Sequence, residues 1–184
     1  MTATTLDPKT ALVVVDLQKG IVGLPTVHPA EDVVARSAEL AAAFRAKGLP
    51  VVLVRAVAAA PGRTERPMRG GGRPAADWAD PADGLGAEES DLVVVKRVWG
   101  AFHGTDLDLL LRRLGITQTV VTGIATSKGV ESTARAAHEH GYHVTVATDA
   151  VTDMDEATHR NSVERIFPAL GETGTTEEII ELLG

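Results

Sequence analysis

Short runs of consecutive apolar, mostly β-branched residues recur along this chain, each followed by a stretch with helical spacing, and that alternation most restricts its fold. Thr10 to Asp16 reads T-A-L-V-V-V-D. A strand with one face in water alternates apolar and polar residues, whereas an unbroken apolar run belongs to a strand covered on both faces, as in a parallel sheet. Val51 to Val54, Leu92 to Val95, Thr119 to Thr122 and His143 to Ala147 repeat the pattern, and Gly171 to Thr175 reads as a short last strand. Between them, Asp32 to Lys47 places Val33, Leu40 and Phe44 at helical spacing before a stop at Gly48. Asp106 to Leu114 is amphipathic, with Thr105 as its cap and Gly115 beyond it; Gly129 to His140, Asp155 to Phe167 and Thr176 to Leu183 are the remaining helices, with Pro168 expected to stop the second of these. The alternation predicts a three-layer α/β/α Rossmann-like domain with a mainly parallel six-stranded sheet. One such domain spans 1–184, a length that suits one core rather than two.

Composition narrows the partners. A net charge of −7 disfavours nucleic acid and anionic membrane, which both require a basic face, and no apolar run is long enough to span a bilayer. A small molecule is the expected ligand. The first residues, MTATTLDPKT, lack the basic start and apolar core of a secretory signal, so the cytoplasm is the expected location. The chain contains no cysteine, which excludes disulfides, thiolate metal sites and a thiol nucleophile together.

In an open parallel sheet, ligands collect at the carboxyl ends of the strands. Asp16 ends the first strand, Lys96 ends the third, and Gly129 follows the fourth. Each alone has a structural explanation as a turn residue or a solvated charge; the convergence of the three marks a candidate site.

The stretches A-L-V-V-V-D-L-Q-K-G at Ala11 to Gly20, V-K-R-V-W-G-A-F-H-G-T-D-L at Val95 to Leu107, T-G-I-A-T-S-K-G-V-E-S-T-A-R at Thr122 to Arg135 and D-A-V-T-D at Asp149 to Asp153 stand in the order and spacing of a known family. The chain resembles the isochorismatase-like hydrolases, also called the cysteine hydrolase superfamily, over essentially its whole length. The resemblance implies a catalytic Asp and Lys at Asp16 and Lys96, and a position for the nucleophilic Cys that Gly129 occupies here. It also implies oxyanion donors on the backbone of Ala125 and Gly129, a cis peptide bond between Ile124 and Ala125, a substrate-binding role for Gln18 beside Asp16, and a homodimer or larger homo-oligomer. Without sulfur the acyl-enzyme route is closed; Ser132, about one helical turn beyond Gly129, is expected to face elsewhere, and Ser127 has no partner base identifiable from sequence. True isochorismatases resemble this chain in having glycine at the Cys position. They hydrolyse a vinyl ether with no covalent enzyme intermediate, so that a protonated Asp16 would be the acid, Lys96 its orienting cation, and Gly129 the space for substrate.

The departures bear on substrate. Isochorismatases carry an aromatic-Ala-His ahead of the glycine, where this chain reads Ala125, Thr126, Ser127, Lys128. Lys128 either reaches solvent or meets an anionic group at the pocket mouth. Two consecutive departures, Lys128 and Gly129, fit natural divergence better than a single engineered replacement. Between Ala56 and Ser90 the chain is mostly loop, with Arg63, Arg66, Arg69 and Arg73 either forming an anion-recognising lid or lying solvated. Trp99 and Phe102 flank the Lys96 turn and either wall the substrate or pack internally; Trp78 is a candidate subunit contact. The histidines are scattered without ligand spacing and read as surface or supporting groups, so neither a metal nor another cofactor is expected. Two functions remain open from the residues: a metal-independent hydrolase acting by acid catalysis on a small anionic metabolite, or a catalytically degenerate protein that binds a small ligand or serves in an assembly.

Overall fold

All six strands run parallel, in the order β3-β2-β1-β4-β5-β6. The computed structural model describes residues 3–59, 62–65 and 75–184. The strands are β1 Thr10–Val15, β2 Val51–Ala56, β3 Leu92–Lys96, β4 Gln118–Ile124, β5 His143–Thr152 and β6 Glu172–Gly174. β1 and β4 are buried at every position, which is why their sequences show no alternation.

Helices cover both faces. On one side, α2 (Ala30–Ala46) and α7 (Thr176–Leu183) set Val33, Leu40, Phe44 and Ile179 against Leu12, Val14 and Leu53 of the sheet. On the other, α3 (Leu107–Arg113), α4 (Glu131–Glu139) and α6 (Phe167–Leu170) set Leu107, Leu111, Ala134, Ala137 and Phe167 against Val13, Val15, Val94 and Val121. The strand order reverses between β1 and its neighbours β2 and β4, so the carboxyl end of β1 is a switch point where a crevice opens. Gly123, with φ +125°, lets β4 approach that end: a Cβ there would stand 1.9 Å from the Val15 carbonyl oxygen.

Several local expectations require correction. The helix expected from Gly129 begins earlier, in a π turn, π1 (Thr126–Val130), that continues into α4. Pro168 does not stop the next helix. α5 (Glu156–Asn161) passes into a second π turn, π2 (Ser162–Ile166), and Pro168 lies in α6. The Phe167 amide bonds Ser162 O across the wider turn, so the helix absorbs the ring whose missing N–H would break an α-helical ladder. β5 extends to Thr152, past the expected end at Ala147, with its register shifted against β4 between Val121 and Gly123. A short helix, α1 (Lys19–Val22), follows β1. Thr105 accepts the Leu107 amide at 3.3 Å, although Asp106 holds the cap position of α3.

Candidate active site

Asp16 leaves β1 with φ +56°, a left-handed conformation that Asp tolerates better than most side chains. The residue is 5% exposed, and its Oδ2 lies 2.7 Å from Lys96 Nζ at the end of β3, itself 2% exposed. Lys96 also donates to the carbonyls of Val98 at 3.1 Å and Trp99 at 2.6 Å. Three N–H donors therefore meet three acceptors, and the ammonium is saturated by the protein itself. Asp16 Oδ1 differs: it is buried and has no hydrogen-bond partner among the described residues. Burial pushes the Asp16 carboxyl up from an ordinary 3.8 to about 6, against the opposing pull of the Lys96 charge and hydrogen bond and, least of all, of the nearby Ala56 amide, which itself donates to Gln18 Oε1.

Gly129 faces this pair from π1. A Cβ built on it would stand 3.1 Å from Asp16 Oδ2 and from Val15 Cγ1, and 3.5 Å from Ile124 O. The Ile124–Ala125 peptide bond ahead of the turn is cis, as the resemblance implies. Ala125 is buried in extended conformation, and its carbonyl accepts the amides of Lys128 and Val130. Sequence reasoning thus placed Asp16, Lys96, Ala125 and Gly129 in one neighbourhood.

Other candidates stand elsewhere. Gln18, expected to meet substrate, is 1% exposed, and its amide is bound to backbone: Nε2 donates to Ala56 O at 3.0 Å and Trp78 O at 3.3 Å, while Oε1 accepts the Ala56 amide at 2.8 Å. It ties the ends of β1 and β2 to the segment around Trp78. The Trp78 ring lies over Gly20, where a Cβ would meet it at 2.0 Å, so that ring covers α1 within its own chain. Phe102 is buried in the core, stacked on His140 with ring centroids 5.1 Å apart and near Tyr142 at 6.0 Å. Packing rather than a substrate wall accounts for its position. The Trp99 side chain is 54% exposed while its carbonyl holds Lys96. Lys128 is half-buried and makes no ion pair among the described residues; Arg63 is exposed, and Arg66, Arg69 and Arg73 lie outside the described residues. Ser127 gives its amide to Asp153 Oδ2 at 2.6 Å, and Ser132 packs against Gly100. Among the described residues no group of three or more His, Cys, Asp or Glu side chains is placed to hold a metal, and no helix is long and apolar enough to cross a membrane. A small cavity of about 40 Å³, lined by Leu17, Gln18, Leu53, Arg55 and Val93, lies toward the other face of the sheet.

One group escaped sequence reasoning. His159 of α5 is 7% exposed, with Nδ1 2.9 Å from Thr126 Oγ1 at the start of π1 and its ring edge-on to His28 at 4.9 Å. Burial holds its imidazole below the ordinary value, with His28 adding to the effect and Glu156 and Asp153 opposing it. The sequence signal was weak, because a single His one turn after the Asp155 cap carries no spacing pattern.

Residues 10–178 match the isochorismatase domain family. The isochorismatase family protein YecD of Escherichia coli O157:H7 is 45% identical over 183 residues, covering 95% of this chain and 96% of that protein. The structure of an isochorismatase family protein from Burkholderia thailandensis superimposes with a TM-score of 0.92 at 46% identity, covering 97% of each chain. N-carbamoylsarcosine amidase from Thermoplasma acidophilum superimposes with a TM-score of 0.75 at 27% identity, covering 92% of this chain and 97% of that one. A family match over nearly the whole sequence, with the same doubly covered parallel sheet and with Asp16 and Lys96 joined where its strands end, makes this chain a member of the isochorismatase family of hydrolases.

Proposed function

We propose that this protein hydrolyses a small anionic metabolite by acid catalysis, with no covalent intermediate, in a site where Gly129 stands at the position of the family's nucleophilic cysteine. The observation that carries the reading is the asymmetry of Asp16. Oδ2 is engaged by Lys96, so a proton on the carboxyl belongs on Oδ1, the buried oxygen without a partner. A carboxyl titrating near 6 holds that proton in a useful fraction of molecules close to neutrality.

A vinyl ether fits such an acid. Oδ1–H delivers its proton to the terminal carbon, the C=C pair forms the new C–H bond, and the ether oxygen shares its lone pair with the adjacent carbon. Water adds to that carbon and returns a proton to Asp16. The hemiketal then collapses to a ketone and an alcohol. Lys96 orients Asp16 and tunes it without touching substrate, because its donors are already occupied. Gly129 leaves volume beside Oδ2, the backbone amides of Ala125 and Gly129 offer donors to the substrate's own anionic group, and half-buried Lys128 meets that group at the entrance. The exposed Arg63 and Trp99 belong to the outer rim. The amidase relative acts on a C–N bond by its name; the missing thiol turns this chain from that chemistry. We read the protein as one domain over 1–184 that works without a metal in the cytoplasm as a homo-oligomer.

The test is a mass-spectrometric screen of wild type against Asp16→Asn on isochorismate, other vinyl ethers, small amides and cyclic carboxylates. The expected result is turnover of an enol ether that falls by about 10²–10⁴ in the variant, the usual contribution of a positioned general acid. Turnover retained in Asp16→Asn would overturn the proposal.

A further inference from the structure

We propose that His159 and Asp153 are positioning residues that set the π turn carrying Gly129, acting through Thr126 Oγ1 and the Ser127 amide. The inference rests on the function proposed above, in which Gly129 has no side chain to offer. What the turn then contributes is backbone direction and open volume, and both depend on how the turn is held. π turns are rare and wider than α turns, so neighbouring helical hydrogen bonds fix their shape less firmly.

The clamp acts at both ends of π1. At the start, His159 Nδ1 meets Thr126 Oγ1 at 2.9 Å and Asp153 Oδ2 accepts the Ser127 amide at 2.6 Å. At the exit, Glu131 Oε2 accepts the Ser162 hydroxyl at 2.5 Å. His159 and Ser162 belong to the same run of helix, α5 into π2, so one rigid element grips the turn before and after Gly129. The grip is anchored behind. Asp153 is 1% exposed; its Oδ1 accepts the Met154 amide at 2.7 Å and its carbonyl accepts the Val27 amide at 2.8 Å. His28 exchanges hydrogen bonds with Thr152 through its amide and carbonyl. None of these groups bonds to Asp16 or Lys96, so their effect on the site passes through the turn.

Protonation of His159 would force a donor onto Nδ1, reversing the sense of its contact with Thr126 if the hydroxyl donates there. The charged and titratable groups acting on the imidazole are His28 from the loop before α2, Asp153 from the end of β5 and Glu156 on its own helix. Burial and His28 favour the neutral ring, and the carboxylates favour the charged one. The turn should therefore change its geometry on acidification through the His159 titration.

The test uses the amide resonances of Ser127 and Gly129 in the full chain, followed by ¹H–¹⁵N NMR between about pH 8 and 5, the range in which a histidine titrates. In wild type, both resonances should move with the His159 ring, at a midpoint below its ordinary 6.5. Thr126→Val, which removes only the hydroxyl, and His159→Ala should displace the Gly129 resonance at high pH and abolish its movement. His159→Asn, which returns a polar atom near the position of Nδ1, should restore much of the wild-type shift. With a substrate identified by the screen described above, Thr126→Val should lower kcat by about tenfold with little change in KM, as a misplaced turn would. Gly129 resonances unchanged in Thr126→Val and insensitive to the His159 titration would overturn the inference, whether or not turnover is found. Should His159→Ala fail to fold, Thr126→Val decides the matter alone.

Discussion

The two oxygens of Asp16 have different surroundings, and the difference sets what the group can do. Lys96 lowers the Asp16 titration while burial raises it, and burial is the larger influence. Replacing Lys96 with Met removes the lowering influence, so the carboxyl should titrate above 6 and the basic limb of the pH–rate profile should move upward. A downward move would show that Lys96 is not the tuning cation. Gly129→Ala tests the space beside Oδ2. Its methyl carbon meets Asp16 Oδ2 and Val15 Cγ1 at 3.1 Å, which requires them to yield by a few tenths of an ångström. Ala in a helical turn is favoured over Gly by up to about 1 kcal/mol, so thermal unfolding should change little while substrate affinity falls by roughly tenfold or more. Asp16 and Lys96 were legible because strand ends of a parallel sheet collect ligands and both are polar residues closing apolar runs. The role of Gln18 was not legible, since an amide near a site can face substrate or tie backbone, and its partners Ala56 and Trp78 are remote in sequence.

At the scale of elements, hydrophobic periodicity revealed what periodicity encodes. The cores of β1 to β5 were readable from their apolar residues, whereas β6 (Glu172–Gly174) has none, and α7 came out with its bounds as observed, where Thr175 and Glu178 form a capping box ahead of an apolar face. Thr175→Ala breaks that box and should cost about 1 kcal/mol, measured by denaturant unfolding with an unchanged slope. A loss near zero would mean that α7 is held by Ile179 and its packing on α2 alone. The π turns were invisible from sequence: five residues in a wider turn show no spacing that distinguishes them from α-helix. The second half of β5 was hidden for a different reason. Thr148 and Asp149 interrupt its apolar run, and they sit in the sheet because Thr148 bonds Gly174 O while Asp149 accepts both the amide and hydroxyl of Thr176.

Across the whole molecule, Asp16 and His159 make stability depend on pH in opposite directions. Asp16 has its folded pKa raised from 3.8 to about 6. Between those values the unfolded chain releases its proton while the folded chain keeps it, so the contribution of Asp16 is full below 3.8 and is lost as pH rises through 6. Two pKa units correspond to on the order of 3 kcal/mol. The stability of Asp16→Asn relative to wild type should therefore improve by up to that amount as pH is raised from about 4 to 7, in paired thermal or urea unfolding curves. His159 has a depressed folded pKa, so its contribution is full above 6.5 and is lost as pH falls below it. A His159→Asn variant should accordingly lose less stability than wild type on mild acidification. The claim on which the proposed chemistry depends is that Asp16 holds a proton close to neutrality, and it can be tested before any substrate is known. A ¹³C NMR titration of the Asp16 carboxyl, assigned by its absence in Asp16→Asn, is the most direct measurement. A midpoint near 6 is the predicted result; a midpoint at the ordinary 3.8 would contradict acid catalysis by this group.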